Sequence, residues 1–365
     1  MIHDLKFGRI KKGEVRQSNY DLLRIIATFA VIIIHVNWNY WGGGYDAYNG
    51  SMLWLFGAFI NVITRFSIPC FLMISGAFIL SNSRTENIVS FYKHVSYKIF
   101  LPTGVILLLL LCFRIGYTSI LRYGVDSFIS LAVSIVNGSF YNFWYMYMLL
   151  FIYLCAPFIV IIRGRISLKL YTILSIALLL WAIISQATSS QSISWNIGVV
   201  ISYTSYFIAG DVIKIHIDKG HIKKKHIPFL AVLAMVCVAC SLLFRIYVSN
   251  YYSYKAYVAF LSPTVAVMSI CFFVLFGLLS IKRDFTRISS LTFYVYLFHT
   301  VILSACHKTI IRFLDAGVLT ALLEFSCASL VSFGVSFVFK KVWDSVTGKH
   351  MFEQKWDSMK IWTKL

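Results

Sequence analysis

Residues 20–40, YDLLRIIATFAVIIIHVNWNY, form an apolar run as long as a membrane is thick, and it carries Arg24 and His35. A transmembrane helix needs about 20 mostly apolar residues. Nine more segments meet that measure: 54–80, 93–116, 140–162, 168–186, 195–214, 226–247, 256–281, 289–312 and 316–340. Segment 126–137, DSFISLAVSIVN, is too short to span and reads as interfacial or re-entrant. The pattern predicts an all-α polytopic membrane protein of about ten spans.

Composition agrees. Hydrophobic residues make up 59% of the 365 and charged residues 13%. Soluble chains average roughly 45–50% and about 25%. That gap excludes the two or three soluble domains the length would otherwise suggest. The expected organisation is a basic N-terminal tail (1–19), one membrane domain (20–340) and an amphipathic tail (341–365). The last carries Trp343, Trp356 and Trp362 and is expected to lie on the bilayer surface. No small-residue cleavage pattern follows the first run, so it reads as a retained span.

The net charge of +19 is explained by topology. With both termini in the cytoplasm, twenty-five of the 33 Lys and Arg residues fall in cytoplasmic segments and six in outer ones. Arg24 and Arg65 lie within spans. This is the positive-inside bias, alternating loop by loop. Nucleic acid need not be invoked as a partner. Of the eight cysteines, Cys237 and Cys240 form a CxxC, but it lies in an uninterrupted apolar run with no second pair. It reads as packing, and no metal is expected.

Ionisable groups inside spans are costly and mark functional sites by default. They are Arg24, His35, Arg65, His299 and Glu324; Asp211, near the cytoplasmic end of the sixth span, reads as interfacial. Arg24 and His35 stand eleven residues apart, which returns to within about 20° on a helix, about 16 Å along its axis. Both therefore share one face. The plainer alternative is an Arg24 that snorkels to headgroups and a packed His35. His299 and Glu324 come out at similar depths on adjacent antiparallel spans, so the two are expected to approach each other or share a cavity.

The run YDLLRIIATFAVIIIHV, with its R-x10-H, resembles the first span of the membrane-bound acyltransferase-3 family, whose members O-acylate cell-envelope glycans. RFSIPCFLMISGAF (65–78), FWYMYMLLFIYLCAP (143–157), SYFIAGDVI (205–213) and SSLTFYVYLFH (289–299) resemble its later elements, in order. Asp211 after Gly210, and Glu324, depart from the pattern. The resemblance implies a bacterial enzyme of the cell membrane that moves an acyl group, in the first instance acetyl, from cytosolic acetyl-CoA or another acyl-CoA. The acceptor would be a hydroxyl of a glycan or a lipid-linked saccharide. It implies His35 as the catalytic histidine, Arg24 as the group that holds the donor or orients the site, and Arg65, Ser75 and Gly76 as cavity residues.

A histidine is the natural base near neutral pH for a hydroxyl attacking a thioester, or it carries the acyl group itself. Lys223, Lys224, Lys225, Arg163 and Arg165 are candidates for the donor's phosphates, or are topological charges only. Ser75 and Gly76 equally suit close helix approach. Most aromatics read as interface belts, with Trp144 a candidate for stacking on a sugar. His299 and Glu324 would then line the cavity. A proton-coupled transporter of a small polar solute is the alternative that buried Arg, His and Glu allow. Against it, the chain shows no repeated half.

Overall fold

The computed structural model describes residues 17–41, 51–118, 129–135, 138–188, 197–247, 259–315 and 317–347. The N-terminal tail, most of the C-terminal tail and much of the outer loops lie outside the described residues. So does part of segment 126–137, of which residues 129–135 are helical.

The long helices are α1 (Ser18–Trp41), α2 (Met52–Thr64), α3 (Ser67–Ile79), α4 (Ile88–Val95), α5 (Leu101–Thr118), α6 (Trp144–Arg163), α7 (Leu168–Thr188), α8 (Ile197–Asp218), α9 (Ile227–Tyr247), α10 (Pro263–Leu278), α11 (Thr292–Ile310) and α12 (Val318–Val346). No strand occurs among the described residues. Among the described residues, eight stretches are long and apolar enough to cross a membrane, two of them made of paired helices: Met52–Ile79 and Ile88–Arg114. The expected eighth and ninth spans correspond to α10, which is shorter, and to α11. The chain is an all-α polytopic membrane protein.

Local sequence explains the breaks. Arg65 and Phe66 sit between α2 and α3, and Pro69 falls in the first turn of α3, where its missing N–H costs little. A π-helical turn, Ser96–Phe100, joins α4 to α5. Ser262 caps α10 through Val265 N–H and Pro263 opens the helix. α12 runs six residues past 340, so Trp343 belongs to the membrane helix, stacked on Phe339, not to a separate tail.

Without a hydrophobic drive between helices in lipid, small residues decide which backbones approach. A side chain on Gly76 of α3 would overlap the Phe207 carbonyl of α8, and one on Gly210 would overlap the Met73 carbonyl. The two glycines thus lock α3 against α8 from both sides. α1 packs against α2, α3, α10, α11 and α12, which places the R-x10-H face at the centre of the bundle. α7, α9 and α12 turn Ile173, Leu180, Met235, Phe229, Leu322 and Leu330 outward, as lipid-facing helices do.

A buried ion pair ties two further spans. Arg163 Nε of α6 lies 2.9 Å from Asp211 Oδ2 of α8, and Tyr171 of α7 donates to the same oxygen at 3.1 Å. Asp211, near the cytoplasmic end of its span, is fully buried within the protein. Arg163 also donates to the Leu80 carbonyl at 2.8 Å. It is therefore a structural tie between spans rather than a phosphate ligand.

Candidate active site

Arg24 is fixed by its neighbours. Its Nη1 lies 3.4 Å from Ser289 Oγ and 3.7 Å from Asp21 Oδ1, and Ser289 itself donates to Asp21. Asp21 and Ser289 are buried, while the Arg24 side chain keeps 27% exposure. That remaining surface faces a cavity of about 810 Å³.

Two kinds of side chain line the cavity. Lys93, His94 and Lys98 come from the α4–α5 segment, Arg287 from the turn before α11, and Lys340 from α12. With Arg24 they make the lining basic on balance, Lys340 being paired with Asp344, which also lines the cavity. The π turn carries Tyr97, Lys98 and Ile99 to the cavity; such bulges are frequent at functional sites. The aromatic lining includes Phe71, Tyr145, Tyr153 and Tyr296, with Tyr97, Phe293, Tyr294 and Trp343 on the segments that carry the basic residues. Ser75 also lines the cavity and accepts a hydrogen bond from the Tyr153 hydroxyl at 3.2 Å. Gly76, its neighbour, serves the α3–α8 contact instead.

A series of rings leads from the aromatic lining into the bundle. Tyr145 and Tyr296 have centroids 5.0 Å apart, Tyr296 and His299 5.4 Å, and His299 and His35 5.2 Å. So His35 is a half-buried imidazole in ring contact with His299, which in turn meets the cavity-lining Tyr296, while Arg24 lines the cavity itself. The sequence places both on one face; the fold gives them separate surroundings along it.

Above His299 the chain makes a tight turn. Gly138, Tyr141 and Asn142 all have positive φ, the last two at 46° and 60°. Left-handed non-glycine residues cost on the order of 1–3 kcal/mol each and persist only where other contacts hold them. Here the Tyr296 hydroxyl donates to the Asn142 carbonyl at 3.0 Å and Thr300 to the Tyr141 carbonyl at 3.1 Å. Both donors flank His299 on α11, so the turn and the histidine hold each other.

The other expected residues do not line the cavity, although Arg65 lies within electrostatic reach of His35. Arg65 is buried, donates from Nε to Asn61 Oδ1 at 3.0 Å and covers the Phe260 ring at 5.0 Å. It does not line the basic cavity. Trp144 packs beside Tyr203 and Phe260, with centroids 6.1 and 6.3 Å away. Lys224 donates to Ser280 at 2.9 Å, away from the cavity, and Lys223 and Lys225 do not line it either.

Glu324 does not meet His299. Its Oε2 lies 2.7 Å from His307 Nδ1 and its Oε1 accepts from Asn39 at 2.8 Å. The expected depth match was counted from opposite membrane faces. Counted from the shared α11–α12 turn, His307 and Glu324 both lie within about two helical turns, and His299 about three turns away. His307, Asn39, Asp21, Ser289 and the three tyrosines were all missed by sequence reasoning. His307 and Asp21 had a readable signal, being ionisable groups within apolar runs.

These features define a multi-pass membrane protein with a cavity lined by basic and aromatic side chains and, joined to it through the Tyr296 ring, a contacting pair of imidazoles. Residues 17–341 match the acyltransferase-3 family, described as an acyltransferase domain. The chain belongs to that family and is a membrane acyltransferase. No curated protein and no solved structure matches it.

Proposed function

We propose that the protein takes an acyl group, acetyl in the first instance, from a cytosolic acyl-CoA and transfers it to a hydroxyl of a cell-envelope glycan or its lipid-linked precursor, at the cell membrane. The observation that carries this reading is the cavity's mixed lining of basic and aromatic side chains. An acyl-CoA offers groups for both: a polyanionic nucleotide end and a long, less polar arm that ends in the thioester. Lys93, Lys98, Arg287 and Arg24 suit the phosphates, since charge-assisted bonds to phosphate are the strong ones. Tyr145, Tyr153 and Tyr296 suit the arm. Lys93, Lys98 and Arg287 belong to segments that the positive-inside bias assigns to the cytoplasm, where acyl-CoA is made available, and Arg24 lies near the cytoplasmic end of the first span.

In this reading His35 is the catalytic base. It takes the acceptor's proton as the hydroxyl oxygen attacks the thioester carbon; the carbon–oxygen bond forms, the carbon–sulfur bond breaks, and the thiolate recovers a proton. Arg24 holds the donor from the cavity wall. Purified protein should bind a non-hydrolysable dethia analogue of acetyl-CoA, and should cleave acetyl-CoA slowly in the absence of acceptor. Lys98→Ala with Arg287→Ala should weaken analogue binding by about tenfold or more, given roughly 1.5–3 kcal/mol for a hydrogen bond to a charged group. Unchanged binding in that double variant would remove the donor assignment. Outside labelling of a single cysteine placed in the 219–225 loop of intact cells would remove the orientation.

A further inference from the structure

His299 is 2% exposed, and its Nδ1 lies 2.6 Å from the Tyr296 carbonyl oxygen. A carbonyl only accepts, so Nδ1 must carry the proton of the neutral ring. That fixes the tautomer and leaves Nε2 with a bare lone pair. Nε2 is buried and has no partner among the described residues. Buried polar atoms in folded proteins are almost always satisfied, so one left open needs a reason. The ring stands beside His35, with centroids 5.2 Å apart and planes tilted by 44°. Two α11 residues that flank it, Tyr296 and Thr300, are tied to the strained turn at Tyr141 and Asn142.

We propose that His299 is the proton-accepting partner of His35, and so a positioning residue for the transfer; the inference rests on the acyl-transfer reading above. The two imidazoles meet as rings, without a hydrogen bond between them; catalytic hydrogen bonds tighten in the loaded site, and there the bare nitrogen of His35 takes the acceptor's proton while its other nitrogen hands a proton to His299 Nε2. The imidazolium then rests on His299, where Nδ1–H already donates to the Tyr296 carbonyl and the positive charge strengthens that bond. As the carbon–sulfur bond breaks, the proton returns through His35 to the departing thiolate. The balance is alcohol plus thioester giving ester plus thiol, with both imidazoles restored.

Two variants separate this role from packing. His299→Asn places an amide nitrogen near the Nδ1 position, so it keeps the tie to the Tyr296 carbonyl and deletes Nε2. His299→Gln keeps a polar atom near the Nε2 position but no basic one. Both should lose about 100-fold or more in kcat, the usual scale for general-base catalysis. KM for acetyl-CoA, and Kd for its dethia analogue, should stay within about twofold. His299→Asn retaining more than about a tenth of wild-type kcat would overturn the proposal, because the structural tie alone would then suffice. If the Asn variant does not fold in detergent, His299→Gln decides on the same threshold. Wild-type protein with no thioester cleavage or transfer would instead refute the parent reading, while an active wild type, an inactive His35→Ala and a near-normal His299→Gln would refute this inference alone.

Discussion

Glu324 of α12 and His307 of α11 are joined by a 2.7 Å contact between Oε2 and Nδ1, with the carboxylate fully buried and the imidazole side chain 26% exposed. Asn39 of α1 donates to the other carboxylate oxygen at 2.8 Å. The cluster therefore ties three helices together at the end of the bundle beyond His35. Glu324→Gln keeps the shape and one acceptor but removes the charge. The expected result is a loss of roughly 1–3 kcal/mol in stability, read as a lower unfolding temperature in detergent, with the activity per folded molecule kept within about threefold. A collapse of kcat in a fully folded Glu324→Gln protein would instead bring this cluster into the chemistry.

His35→Ala should reduce acyl transfer by roughly 10²–10⁴-fold, the contribution typical of a general base. Transfer of labelled acetyl from acetyl-CoA in membrane vesicles measures it, alongside the unfolding temperature. Because His35 is half-buried and its ring meets another imidazole, the deletion should leave the fold intact.

Arg24→Lys tests the cavity wall. Lysine keeps the charge but presents a point ammonium where the guanidinium addresses Ser289, Asp21 and the cavity together. The expected outcome is a KM for acetyl-CoA raised by about tenfold, on the scale of one charged hydrogen bond. Full substitution by lysine would mean that Arg24 only reaches for headgroups.

Gly76→Val and Gly210→Val should each reduce the yield of folded protein sharply, since the added atoms meet backbone that cannot move aside. Overpacking costs typically about 1–3 kcal/mol where side chains can adjust, and more where they cannot. Gly104→Val is the control, because a Cβ there meets nothing within 4 Å. Equal losses in all three would show that the α3–α8 contact is not the cause.

Asp211→Ala strands Arg163 in a buried site and should cost about 3–5 kcal/mol. Replacing both partners by apolar residues, Arg163→Met with Asp211→Leu, should recover most of that loss. Unfolding in detergent of the single and double variants gives the comparison. A double variant as unstable as the single one would place the importance of Asp211 in its bond with Tyr171 rather than in the ion pair.

The class of protein was legible in the chain alone. Apolar runs of membrane length and the one-sided distribution of Lys and Arg are one-dimensional properties, and each span reports its own. The R-x10-H register was legible too, because eleven residues return a helix to the same face whatever surrounds it. Arg24 and His35 accordingly lie on the central helix α1, one at the cavity and the other at the imidazole pair.

Which residues meet across helices was decided by the tertiary structure. Hydropathy says that a helix enters the membrane, but lipid tails and neighbouring helices are equally apolar partners, so it does not say which face turns inward. That choice was made by features whose meaning is relational: Gly76 and Gly210 opposite two carbonyls, Arg163 opposite Asp211, a π turn that aims Lys98 at the cavity. The same reason moved Glu324 from His299 to His307. Depth along one span is a local count, whereas a buried carboxylate takes whichever donors the packed helices bring within hydrogen-bond reach, here His307 and Asn39.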